Sequence, residues 1–134
     1  MNWFVDTSVW SLALRRDRPE DRPEVERLAR ALEDGEGVFT TGLVLQELLQ
    51  GFSGPRARLD ILERFAALPL LVPDRQDHVR AAELRIACRR EGLQIGTIDA
   101  LLAQLCMRHR LVMLTTDANF ARVASLHALR VWTH

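Results

Sequence analysis

A series of short apolar runs, each closed by polar residues and separated from the next by a stretch of helical periodicity, constrains this chain more than anything else in its sequence. The runs are Trp3-Phe4-Val5, Val38-Phe39-Thr40, Leu70-Leu71-Val72, Leu111-Val112-Met113-Leu114 and Leu129-Arg130-Val131-Trp132. Each is too short for a helix and apolar enough for a buried strand. Between them lie amphipathic patterns. Val25, Leu28, Ala29 and Leu32 recur at helical spacing from Pro23 until Gly35 and Gly37 stop the pattern. A mostly apolar helix fits Leu43 to Gln50, and another runs from about Arg56 to Ala66 with Leu59, Leu62, Phe65 and Ala66 as its face. Asp74 caps a helix of about Arg75 to Glu91, with Val79, Ala82 and Ile86 on one side. Thr97 caps the next, whose period is carried by Ile98, Leu101, Leu102, Leu105 and Cys106. A short helix around Phe120 to Ala124 precedes the last run. Strands alternating with helices imply parallel neighbours joined by helical crossovers. The expected fold is therefore α/β, with a central parallel β-sheet of four to five short strands flanked by helices on both faces, in one domain over residues 1–134.

Against that apolar background, acids at buried-pattern positions carry the information, because burying an unpaired charge is costly. Asp6 follows the first strand, and Asp117 follows the Val112–Leu114 run through Thr115 and Thr116. Both fall at the carboxyl ends of expected parallel strands, the edge where ligand crevices form in open α/β sheets. Glu47 lies within Leu43-Val44-Leu45-Gln46-Glu47-Leu48-Leu49, with no cationic residue three or four positions away. Asp99 falls in a first helical turn, where the helix dipole favours a carboxylate. Taken singly, each has an ordinary role as cap, turn former or rim residue. Together, four acids repel one another unless a cation neutralises them, and an all-oxygen set selects hard ions such as Mg²⁺ or Mn²⁺.

Composition narrows the chemistry further. All eighteen basic residues are arginine, so a phosphate-loop NTPase and a Schiff-base enzyme, each needing a lysine, are excluded. Eighteen acids balance them, leaving no net field to draw a polyanion to the whole surface. No apolar run approaches the roughly 18 residues that span a bilayer, and no basic-then-apolar leader precedes Asp6, so the expected setting is cytoplasmic with no membrane partner. Cys88 and Cys106 read as buried reduced thiols, and His78, His109, His127 and His134 form no paired ligand motif.

Four segments in order carry a family resemblance: Asp6-Thr7-Ser8 after the first strand, Leu45-Gln46-Glu47-Leu48-Leu49-Gln50-Gly51, Ile98-Asp99-Ala100-Leu101-Leu102-Ala103, and Leu114-Thr115-Thr116-Asp117-Ala118-Asn119-Phe120. They resemble the four motifs of PIN-domain ribonucleases, and the length and motif order resemble the VapC toxins of type II toxin–antitoxin pairs. The resemblance implies a metal-dependent endoribonuclease that leaves 5′-phosphate and 3′-hydroxyl ends. It makes Asp6, Glu47, Asp99 and Asp117 the catalytic acids and the ligands of one or two Mg²⁺ or Mn²⁺ ions. Ser8 and Thr115 match supporting hydroxyl positions; Asn119 stands where many members carry a further Asp, which bears on the second ion. The implied partners are an RNA substrate, a small VapB-like antitoxin and a second copy of the chain, for which the apolar excess between Leu43 and Leu71 is a candidate surface. Arg15, Arg16 and Arg18, with Arg56 and Arg58, are candidates for RNA phosphate contacts. The competing reading is a non-catalytic interaction protein of the same fold with a structural or inhibited acidic site. An aspartic protease, which shares Asp-Thr-Ser, is a β-rich fold and does not suit these helical patterns.

Overall fold

The computed structural model describes residues 1–15 and 22–134. Among them, β1 (Asn2–Val5), β2 (Gly37–Thr41), β3 (Leu70–Leu71), β4 (Val112–Leu114) and β5 (Arg130–Val131) form one sheet in the order β3-β2-β1-β4-β5. Every pairing is parallel, with Phe4 opposite both Phe39 and Met113. The chain steps outward from β1 through β2 to β3, then returns across β1 to lay down β4 and β5. Right-handed crossovers then place the helices of the two halves on opposite faces. The first half contributes α1 (Thr7–Ala13), α2 (Pro23–Glu33), α3 (Gly42–Gly51) and α4 (Pro55–Ala66). The second contributes α5 (Arg75–Arg90), α6 (Thr97–His109) and α7 (Ala118–Leu126). β1 and β4, adjacent but leading in opposite directions, bound the topological switch point.

β1 is the axis of the core: Trp3, Phe4 and Val5 are wholly buried, as are Met113 and Leu105. α6 has the same character, with every residue from Ala100 to Cys106 buried, which accounts for the strength of its apolar period. Cys88 and Cys106 are buried free thiols. No helix among the described residues is long and apolar enough to cross a membrane.

Three local expectations are corrected. α5 does not bury Val79, Ala82 and Ile86; it turns Asp77, Ala81, Leu84 and Cys88 inward, a four-three-four spacing, and leaves Val79 and Ile86 exposed. On α4, Ile61 and Phe65 enter the core while Leu59 is exposed. In both helices a second apolar stripe competes with the true core face, and the sheet decides between them. The third correction concerns α6, whose N-cap is Gly96 in extended conformation; Thr97 is its first helical residue and makes no cap bond.

Asp77 is the acid that the sequence reading missed. It is 1% exposed, and Arg108 on α6 grips it with Nε and Nη2, both at 2.7 Å. Asp74 and Asp77 also exchange backbone-to-carboxylate hydrogen bonds of 2.8 and 2.9 Å, the reciprocal capping arrangement that starts α5. Burial pushes the Asp77 carboxyl up, but the Arg108, Asp74 and Gln104 hydrogen bonds outweigh it and hold the group below its ordinary range.

Candidate functional site

Asp6 is the residue immediately after β1 and is 8% exposed. Its backbone N–H donates to the Leu114 carbonyl at 2.9 Å, continuing the β1–β4 ladder by one rung. Its side chain therefore emerges at the switch point. Ser8 Oγ and Thr115 Oγ1 both donate to Asp6 Oδ2, at 2.8 and 2.9 Å. The same hydroxyls accept backbone N–H bonds, Ser8 Oγ from Thr116 at 3.1 Å and Thr115 Oγ1 from Asp117 at 3.0 Å. Each hydroxyl thus uses its proton on the carboxylate and a lone pair on the β4–α7 turn. The two residues expected to support the acids do so by fixing one carboxylate oxygen and leaving Oδ1 free of side-chain bonds.

Asp117 is the N-cap of α7, and its Oδ1 accepts the Asn119 N–H at 2.9 Å. α7 begins at Ala118, so Asn119 lies inside its first turn and the capping role belongs to Asp117. Glu47 stands on the exposed side of α3, where Thr7 Oγ1 donates to its Oε1 at 3.3 Å. This bond spans the gap between α3 and the start of α1, so Glu47 faces the end of β1.

Asp99, in the first turn of α6, reports on all the others. Burial, and then the negative charges of Asp6, Asp117 and Glu47, push its carboxyl up to about 6. Three residues distant in the chain are therefore close enough to Asp99 to disfavour its ionisation. Among the described residues none of the four is ion-paired with an arginine or histidine. The carboxylates are grouped without being closed: no three bring their oxygens all within 4.8 Å of one another.

The arginine expectations divide. Arg15 and Arg56 line the same recess of about 310 Å³ between the end of α1 and the start of α4, together with Asp60 and over Leu14, Phe52 and Ile61. Arg58 is exposed but does not line it. Arg16 and Arg18 lie outside the described residues.

Comparison with known proteins gives a consistent picture. No curated protein sequence matches the chain. Among solved structures, VapBC2 from Rickettsia felis, bound to a DNA fragment from its promoter, is 19% identical with a TM-score of 0.76, each chain covered to 98%. VapBC from Salmonella typhimurium, also DNA-bound, is 20% identical with a TM-score of 0.75, covering 98% of this chain and 97% of that one. VapC20 from Mycobacterium tuberculosis, described as a sarcin-ricin loop cleaving toxin, is 20% identical with a TM-score of 0.66, covering 90% and 94%. At these identities the likeness establishes the shared fold. The sequence profile of the PIN domain matches residues 3–126, a span from β1 through α7 that contains all four acids; the chain belongs to the PIN domain family.

Proposed function

We propose that the protein is a metal-dependent endoribonuclease, the toxin of a VapC-type toxin–antitoxin pair, with Asp6, Glu47, Asp99 and Asp117 as its catalytic acids. The observation that carries this reading is the Asp99 carboxyl, driven up to about 6 by burial and by three other acids at the switch point of the sheet. Folding gains nothing from such an arrangement, since uncompensated buried charge destabilises. Binding a cation gains from it directly.

The donor set fits a hard divalent ion. It is all oxygen and mostly anionic, with no thiol or imidazole among the four, which suits Mg²⁺ or Mn²⁺ and not a zinc site. When bound, such an ion offsets charge on the oxygens of the phosphodiester and makes a nucleophilic water available at neutral pH.

The protein's own contribution is placement. Ser8 and Thr115 lock Asp6 through Oδ2, so Oδ1 is the oxygen held ready for a ligand. The Asn119 N–H engages Oδ1 of Asp117 and leaves Oδ2 available. Asp99 and Asn119 sit in first turns of α6 and α7, whose helix dipoles moderate negative charge. Arg15 and Arg56 supply candidate phosphate contacts, positioning RNA without reading its sequence. Asn119 brings a carbonyl oxygen and no charge, so one ion is held firmly and a second joins with substrate.

The relatives described as VapBC complexes support a small antitoxin as partner, and an acidic pocket of this kind accepts an arginine from such a protein as readily as a metal. Assembly with a second copy and a cytoplasmic setting belong to the same reading. The test is cleavage of a structured RNA by purified protein, with and without Mn²⁺. Cleavage that requires the ion, and that disappears in Asp6→Asn while the circular dichroism spectrum is unchanged, supports the proposal; equal cleavage by both proteins overturns it.

A further inference from the structure

At the C-terminal ends of α5 and α7, Cys88, Glu91 and His127 bring one ligand atom each, a thiol sulfur, a carboxylate oxygen and an imidazole nitrogen, all within 4.8 Å of one another. We propose that these residues form a second metal site, separate from the acidic cluster and selective for a borderline-soft divalent cation, Zn²⁺. α7 places the two sites apart: its N-cap is Asp117, beside the acids, and its C-cap, ten positions later, is His127, where the chain turns toward β5. At 1.5 Å per residue that separation is roughly 15 Å along the helix.

The donors differ in kind from those of the acidic cluster. Sulfur, nitrogen and oxygen together suit Zn²⁺, whereas Mg²⁺ takes oxygen alone. Charge also balances, since a thiolate and a carboxylate neutralise a dication and the imidazole binds as the neutral base. Tetrahedral coordination at about 2.0–2.3 Å sets ligand atoms roughly 3.5 Å apart, so the three need only close slightly.

The backbone holds them there. Cys88 and Glu91 are three residues apart at the end of α5, on one helical face. The Glu91 N–H donates to the Ala87 and Cys88 carbonyls, and the Leu93 N–H to the Cys88 carbonyl at 2.8 Å. The His127 N–H donates to the Val123 carbonyl at 2.8 Å. Glu91 Oε1 already meets His127 Nε2 at 2.8 Å, within 4.8 Å of the sulfur of the buried Cys88. His127 also lines an open recess with Gln76, Arg80, Glu83, Leu84, Ala87 and Gln104, which exposes its ring to solvent and so to a fourth, water ligand.

Burial, and then the Glu91 charge, raise the Cys88 thiol above its ordinary range. A bound dication reverses the second effect and overrides the first, so the thiol proton is released to solvent as metal binds. The site then clasps the end of α7 to the end of α5.

The probe is Co²⁺ added to the full-length metal-free protein in excess Mg²⁺, which occupies oxygen-only sites. One equivalent is expected to give the near-ultraviolet thiolate-to-cobalt band and strong visible bands of four-coordination, both abolished by one equivalent of Zn²⁺. His127→Ala, at a part-exposed position, should lose the visible bands and bind Zn²⁺ about 100-fold more weakly. Cys88→Ser should lose the near-ultraviolet band; if that variant fails to fold, the His127→Ala spectrum decides alone. Asp99→Asn should leave both bands intact, and RNA cleavage does not enter the readout, so the result stands apart from the nuclease reading. No thiolate band in the parent, a spectrum unchanged in His127→Ala, or bands lost in Asp99→Asn would each overturn the proposal.

Discussion

Asp77 and Asp99 occupy the same position, third residue of the first turn, in two helices packed side by side. Both are drawn out of water and both enjoy the favourable end of a helix dipole. Asp77 meets the Arg108 guanidinium, the Gln104 amide and the Asp74 N–H, and its carboxyl is held down. Asp99 meets the charges of Asp6, Asp117 and Glu47, and its carboxyl is held up at about 6. One acid is finished by the fold; the other is finished only by something the fold leaves room for. Burial alone therefore does not separate a structural acid from a functional one. The sign of the surrounding charge does.

The comparison breaks most visibly on the open side. Asp6→Asn removes the charge of the best-anchored carboxylate of the cluster, and cleavage in Mg²⁺ is expected to fall by about 10³-fold with the fold retained, a loss of the size seen when charge-stabilising groups are removed from active sites. Single-turnover cleavage of a labelled RNA measures it. On the closed side, Arg108→Ala strands a buried carboxylate and should cost about 3 kcal/mol in urea denaturation at pH 7, discounted from the full penalty because Arg108 itself is partly exposed. The double change Asp77→Asn with Arg108→Leu should recover much of that loss. If Arg108→Ala costs no more than a surface change, Asp77 is not held as described.

This contrast also shows what the sequence could disclose. The short strands, their alternation with helices and the four acidic motifs are legible because apolar period and motif spacing are local properties. Asp77 was not, because its partner lies 31 residues away on another helix and its own neighbours read as an ordinary cap. The inward sides of α4 and α5 were illegible for a related reason: Val79, Ala82 and Ile86 form as good a stripe as Ala81, Leu84 and Cys88, and only docking on the sheet chooses. Thr97 lost its capping role to Gly96 because an extended glycine starts a helix without a side-chain bond, a choice no residue type announces. For His127, sequence spacing held no signal at all; its approach to Cys88 and Glu91 exists only once α7 has been laid beside α5.

A smaller effect sharpens the comparison through stability. Asp99 has a folded-state pKa raised above its unfolded value, so its contribution is most favourable below about pH 4 and is lost as pH rises through about 6. Asp77 has the opposite sign: its contribution is present above the unfolded value and is lost as pH falls through the depressed folded one. Asp99→Asn should therefore stabilise the metal-free protein at pH 7 by about 1–3 kcal/mol, remove the decline between pH 4 and 6, and leave the acid-side loss intact. Saturating Mn²⁺ should erase the advantage of the variant. Thermal melts across pH, with and without the ion, check all three points.

The smallest expected change is at Asn119. Asn119→Asp adds one charge to a cluster whose affinity for hard ions grows with ligand charge. The Mn²⁺ concentration for half-maximal cleavage should fall by roughly threefold, with Asp6, Glu47, Asp99 and Asp117 still required. An unchanged metal dependence would place Asn119 outside the coordination sphere.

The most direct test of the account follows the Asp99 carboxyl itself. Carbon-detected NMR of protein labelled at its aspartates, titrated without metal, should show Asp99 ionising near pH 6 while Asp77 ionises below the ordinary range. In saturating Mg²⁺ the Asp99 midpoint should drop by two units or more and that of Asp77 should not move. An Asp99 midpoint near 4 without metal, or one that Mg²⁺ leaves unchanged, would contradict the claim that the four acids form a single pocket awaiting a cation.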